Sequence, residues 1–328
     1  MAHRHWSFAC TLALAVAIAC SAPGGGARTA SAEQLRPPDF GPAFSRTWHD
    51  GKAELAGYEL TFPRYGELRK GVAVSIFVTE PFDEESRVKP EHSARADFQV
   101  IKLNLVEDFQ TGIYDYNMMT SAFVTSTAHA GRPPGTLSKV SVSAQEWCGH
   151  AYGQALFRQD AVETTSHSYF EGEADQSGTL PFPRDGLGED ALWLWARGLA
   201  RPALEPGQQV QVPILRSLQR ARLAHVPLAW DQAALSRAAE PTRVRVPAGE
   251  LEVDVLTARI TRQGQPATQW TFEVERAAPH RIVRVRRDDG YEAALIESAR
   301  LPYWQLHDNA HLSFLSRLGL EPRKPRMP

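Results

Sequence analysis

The sequence predicts a mainly β protein: a curved antiparallel sheet or incomplete barrel with one or two covering helices. Three observations carry that expectation. From Trp48 onward, apolar and polar residues alternate with period two in one segment after another. Those segments are rich in Val, Ile, Phe and Tyr and are separated by turn-forming residues. Helical patterns do not alternate with strands, which excludes a purely parallel α/β sheet.

Ahead of the sheet, Arg4 precedes the apolar run "WSFACTLALAVAIAC" at 6–20. That run is too short to span a bilayer and has the length of a signal-peptide core, so residues 1–19 are expected to be a signal peptide. Two processing sites compete. "AIAC" at 17–20 reads as a lipobox, with Cys20 as the acylated N-terminus, and "ASA" at 30–32 is an A-x-A site. Lipidation is the favoured reading. Ser21, with no Asp beside the acylated Cys20, then directs the protein to the periplasmic face of the outer membrane in a Gram-negative envelope. A soluble periplasmic or secreted protein is the alternative. Residues 20–45 are small, polar and Gly/Pro-rich, and predict a flexible tether.

The β-rich domain is expected over 46–305, with possible halves at 46–180 and 205–305. In the first half, strands are predicted at 54–62, 71–80, 98–106, 137–150 and 161–173. The charged stretch at 80–97 and "TAHAGRPPG" at 127–135 read as loops. Between the halves, "GEDALWLWARGLA" at 188–200 predicts the longest helix, with Ala191, Leu192, Trp195 and Leu199 on one side. Trp193 and Trp195 should face opposite ways, one onto the sheet and one to a rim. "LAWDQAALSRAA" at 228–239 predicts a second, shorter helix. Strands return at 208–215, 242–261, 267–275, 280–289 and 291–302, with hairpin turns at "VPAGE" and "DDG". "LPYWQLH" at 301–307 reads as an aromatic lid over one sheet end, and 306–328 as a tail whose last residues, "EPRKPRMP", are polar, Pro-rich and expected to be disordered.

The charge is nearly balanced: 36 Lys and Arg against 38 Asp and Glu, net −2, with no basic block. Nucleic acid is therefore not an expected partner, and protein partners are not specified. With Cys10 in the signal and Cys20 acylated, Cys148 has no partner for an internal disulfide. Nothing resembles G-x-S-x-G, a P-loop or G-x-G-x-x-G in a strand-to-helix context, and no cofactor is expected.

The segment "QEWCGH" at 145–150 carries the candidate chemistry. On one continuous strand, Val140, Val142, Ala144, Glu146, Cys148 and His150 share a face. Cys148 could be a nucleophile with His150 as base and Glu146 as orienter, but neighbours at i and i+2 meet only by leaning. The alternative is a buried, inert thiol, with Trp147 on the opposite face and His150 at the rim. A metal could take His150 with Glu146, or His167 with Glu171 and Glu173. No metal-ligand spacing such as H-x-x-x-H or C-x-x-C exists, so no metal is expected. Tyr114, Tyr116, Met118 and Met119 could line an apolar ligand cavity or form core.

The segments "VPAGELEVDVLTARI", "WTFEVERAAPHRIVRV" and "EAALIES" resemble uncharacterised bacterial periplasmic domain families in which a P-A-G-x-[FL] strand precedes an aromatic strand and a P-x-R-[IV] strand. "RYGELRKGVAVSIFVTEPF", "GIYDYNMMTS" and "SAQEWCGH" resemble a related group of exported proteins, some of which go under the name Maf, septum formation inhibitor. Maf proteins proper are cytosolic nucleotide pyrophosphatases with a Ser-rich, Arg-containing phosphate loop that this sequence lacks. The resemblance covers roughly 46–305 and implies an exported β domain without an assigned chemistry. The function expected is a non-enzymatic envelope lipoprotein, attached to the membrane through its N-terminal lipid. It would bind an apolar or envelope-derived ligand or support envelope assembly. An envelope hydrolase or transferase using Cys148 and His150 is the alternative.

Overall fold

The computed structural model describes residues 28–29 and 35–323. The signal peptide, the acylation site Cys20, the "ASA" site and most of the tether lie outside the described residues.

The first half is a meander of antiparallel strands joined by turns and by longer loops at 83–97 and 126–136: β2 (Ala53–Arg64), β3 (Glu67–Phe82), β4 (Phe98–Thr111), β5 (Tyr114–Thr125), β6 (Leu137–Glu146), β7 (Gly149–Phe157), β8 (Ala161–Ser168) and β9 (Gln176–Pro181). The second half adds β11 (Gln208–Leu215), β12 (Trp230–Arg237), β13 (Thr242–Val246), β14 (Gly249–Thr261), β15 (Thr268–Glu275), β16 (Ile282–Arg287) and β17 (Glu292–Leu301). β17 pairs antiparallel with β2, and this ladder fuses the halves into one sheet. Two short strands, β1 (Arg28–Thr29) and β10 (Leu187–Gly188), pair parallel with β11. The whole is a large, unclosed, mainly antiparallel sheet with few helices. The alternating segments in the sequence sit on these strands because each buries one face: along β2 to β5, Tyr58, Leu60, Phe62, Ala73, Leu103, Phe109, Tyr116 and Met118 all point into one core.

The helix expected at 188–200 is much shorter. A 3₁₀ turn (Glu189–Ala191) runs into α2 (Leu192–Ala196), and its five residues are all buried. With every residue of Leu192–Ala196 buried, the segment has no solvent face and no amphipathic stripe to extend. Trp193 and Trp195 are both buried, and both rings lie 6.3 Å from the Phe272 ring. Neither reaches a rim. Longer helical elements lie elsewhere: α1 (Pro42–Trp48), α3 (Leu218–Ala224) and a 3₁₀ stretch at Asn309–Leu318.

Four further expectations change. Residues 228–239 form a strand, β12, because it is paired on both sides, by β11 and by β14, and buries Asp231, Ala233 and Leu235 alternately. Two ladders override the helix propensity of its alanines. The tether ends before residue 45, since α1 starts at Pro42 and buries Phe44 and Trp48. The tail outside the expected domain packs back on the sheet through its 3₁₀ stretch: Leu318 is buried, and its carbonyl oxygen lies 2.2 Å from where a Cβ on Gly57 would stand. Only a glycine in β2 lets that backbone approach. The fourth change, at 137–150, belongs to the site.

Candidate functional site

The predicted strand 137–150 is a hairpin. β6 ends at Glu146, Trp147 and Cys148 form a two-residue turn, and β7 returns with Gln145 opposite His150 and Glu146 opposite Gly149. The period-two reading is right through Glu146, which stays on the inner face, and fails at the turn, where the chain reverses. Cys148 is exposed at the tip, not buried, and Trp147 is 66% exposed beside Tyr114. His150 lies on the outer face and lines a shallow depression there with Met119, Tyr152, His167 and Asp175. Cys148 and His150 therefore do not form a pair. Gly149 has φ +156°, and a Cβ there would stand 2.7 Å from the Tyr169 ring, so the turn needs glycine.

On the inner face, β6 to β9 carry small side chains. The register aligns Val142 with Gly153, Gly153 with Ser166, Ala144 with Ala151 and Thr164 with Gly178. These cannot fill the concavity, and α3 crosses over it. The result is a cleft of about 450 Å³ lined by Val142, Ala151, Gly153, Leu180, Leu218 and Ala221, among others. Its volume lies at the low end of the range typical of small-molecule sites.

α3 is held over this cleft by polar contacts with Asp190, Glu189 and Glu107. Ser217 caps its N-terminus, accepting from the Arg220 backbone N–H at 3.1 Å. Ser217 Oγ and the Leu218 N–H donate to Asp190 at 2.5 and 2.7 Å. Arg220 pairs with Glu189, which is buried and also accepts from Trp270 Nε1 and Arg262. Gln219 Nε2 donates to buried Glu107 at 2.6 Å. Burial pushes the Asp190 carboxyl up to about 7, against the donors from Ser217 and Leu218. Burial pushes Glu189 up as well, but Arg220 and Arg262 outweigh it and hold that carboxyl below its usual range.

Beside the cleft is a smaller pocket of about 270 Å³, lined by Arg64, Tyr65, Glu146, Cys148, Phe170, Arg222, Leu223 and His225. Arg222 and His225 line both. Tyr65 and Gly66 form the turn between β2 and β3, both with positive φ, as a two-residue hairpin requires. That turn brings Tyr65 OH to 2.7 Å from Tyr116 OH, with Arg64 donating to both phenols. Burial raises the Tyr116 phenol, and Glu146 and Tyr65 add to that. Tyr65 is lowered: its own burial raises it, but the contacts with Tyr116, Tyr114 and Arg64 prevail. On the other side, Arg222 stacks 4.1 Å above the Phe170 ring and lies 3.7 Å from Glu173, which also holds His225 Nδ1. Arg222 Nε and Glu146 Oε2 are buried without hydrogen-bond partners among the described residues.

The structure thus brings Glu146, Cys148, Tyr114 and Tyr116 to one end of the curved sheet, while Met118 is core and Met119 is on the outer face. Glu173 and His167 both line the cleft but do not pair: Glu173 holds His225, whereas His167 pairs with Asp175. Among the described residues, no group of three His, Cys, Asp or Glu side chains could hold a metal ion. Sequence reading missed Arg64, Tyr65, Arg222 and His225. One signal was present: "RSLQRARLAH" has a Ser N-cap followed by a helical run.

No family model matches the chain, and no curated protein matches it. Among solved structures, the chain is similar to a crystal structure of a beta-barrel-like protein of the domain of unknown function DUF1849 from Brucella abortus. Identity is 13%, the match covers 76% of this chain and 97% of that one, and the TM-score is 0.45.

Proposed function

We propose that the protein is a non-enzymatic envelope lipoprotein that binds an apolar or envelope-derived ligand in the cleft beneath α3. The observation that carries this reading is the cleft itself: a concave, small-residue face of β6 to β9 roofed by a helix with apolar Leu218 and Ala221 beneath it. The apolar run ending in "AIAC" supports the anchor, and the resemblance of both halves to exported domains supports the address. The binding test uses the neutral apolar dye N-phenyl-1-naphthylamine. Its fluorescence should rise on mixing with the protein, and Gly153→Trp should abolish the rise. A Cβ at Gly153 faces Leu218 at 3.8 Å, so the indole fills the cleft. An unchanged signal in that variant refutes the location. For the anchor, Cys20→Ser should move the protein from the membrane to the soluble fraction or leave it unprocessed. A wild-type mature N-terminus at Glu33 refutes it.

One observation favours a second reading, an envelope hydrolase or transferase. Cys148, Glu146 and His225 line one pocket, and His225 is oriented by Glu173, so His225 replaces His150 as the base. Among the described residues, no hydrogen bond joins Cys148 to a histidine, so the thiol would have to move on binding. Its test is iodoacetamide labelling of Cys148: a rate that falls steeply in His225→Ala supports this reading.

A further inference from the structure

We infer that the cleft and the adjoining pocket together take a single acyl chain with an anionic head group, the chain beneath α3 and the head between Arg64 and Arg222. This inference rests on the ligand-binding reading above and adds the chemical class of the ligand. The two spaces share Arg222 and His225 as lining residues, so one molecule can occupy both. They differ in character. The cleft has Val142, Ala151, Leu218 and Ala221 along it, whereas the pocket has the guanidiniums of Arg64 and Arg222 with the Tyr65 phenol, Glu146 and His225. A volume of about 450 Å³ suits one chain better than two.

The charges favour an acid at the head. Arg64 donates to Tyr65, Tyr116 and the Leu223 carbonyl, and among the described residues it has no carboxylate partner. Arg222 stands 3.7 Å from Glu173, whose other oxygen is engaged by His225 Nδ1, and among the described residues its Nε has no partner. Two acids face this region, Glu146 and Glu173. Glu146 Oε2 is shielded from solvent, and Glu173 is already shared between His225, Arg222 and Ser168. A carboxylate or phosphate entering between the arginines gains charge-assisted hydrogen bonds that neither acid supplies. An uncharged head gains none of this.

The test measures binding of dodecanoate, dodecyl phosphate and dodecanol to the full chain by calorimetry, below their aggregation concentrations. Both anions should bind at least about tenfold tighter than dodecanol. Arg222→Met and Arg64→Met should each bring that ratio towards one while leaving dodecanol binding in place. Arg222→Lys should keep part of the preference, and thermal melts of each variant confirm that it folds. Tighter binding of the phosphate points to a phospholipid-derived ligand, and tighter binding of the carboxylate to a free fatty acid. Dodecanol binding that equals that of the anions, unchanged in both Met variants, overturns the head-group assignment and leaves the cleft reading standing. Binding of none of the three overturns the cleft reading itself.

Discussion

Cys148 stands on a two-residue turn, and its reactivity follows from that position rather than from its neighbours in sequence. An exposed thiol has no desolvation barrier to reagents, so it should react readily with a thiol reagent such as 5,5′-dithiobis(2-nitrobenzoate) in the native protein. Cys148→Ser should change stability by no more than about 0.5 kcal/mol, because no packing is lost. Chemical denaturation of the two forms checks the second point. Slow labelling and a loss several times larger would restore the buried thiol that alternation alone implies. Glu146, two residues earlier, shows the limit of such reasoning. Its inward side is correctly read from the period of β6, but its neighbours Tyr116, Tyr65 and Arg222 come from three distant segments.

At the scale of elements, α3 is a seven-residue helix too short to be stable alone, and its place depends on buried acids at its N-terminus. Asp190 has a carboxyl raised to about 7 in the folded protein, against about 3.9 in an unfolded chain. The folded state therefore holds more protons between those values, and stability falls as pH rises through that window. Asp190→Asn should remove that downward slope, flattening the melting temperature between about pH 4 and 7, with a difference of roughly 2 kcal/mol across it. That is about half the ideal linkage value, because Asp190 keeps some exposed surface. Glu189 acts with the opposite sign. Its lowered carboxyl contributes stability above its unfolded value that is lost as pH falls below it. An Asn variant with the same slope as wild type would show that Asp190 does not set it.

For the whole molecule, the ladder between β17 and β2 makes the two halves one structure. α2 lies between them in sequence and packs on both, with Trp193 ring contacts to Tyr58 in the first half and to Phe272 in the second. The fragment 46–180 loses that ladder and the aromatic plug together. It should show no cooperative thermal transition when expressed alone, whereas the full chain melts in a single step. Two transitions in the full chain, or a cooperative melt of the fragment, would show two independent domains. The ordered tail adds to the same unit by laying Leu318 on Gly57 across the outer side of β2.

The sequence by itself determined the fold class, most of the strands, though not β5, β7, β9 or β12, and the hairpin turns at 246–250 and 288–290, because alternation and turn chemistry are local properties of the chain. The strand at 208–215 has the same bounds in both readings. It also named Tyr114, Tyr116, Glu146 and Cys148 as candidates, and the structure brings these to one end of the sheet. Only the tertiary structure decided where alternation is interrupted, as at Trp147 and Cys148, since a turn of ordinary residues leaves no break in the pattern. It alone turned 228–239 into a strand, where two ladders outweigh propensity, and shortened 188–200, where burial removes the solvent face that a helix pattern records. The cleft was invisible for a related reason. It is made by small residues on β6 to β9 failing to fill a concavity, and by a short helix from far along the chain closing over it. Neither curvature nor long-range closure is written in the period of any one segment.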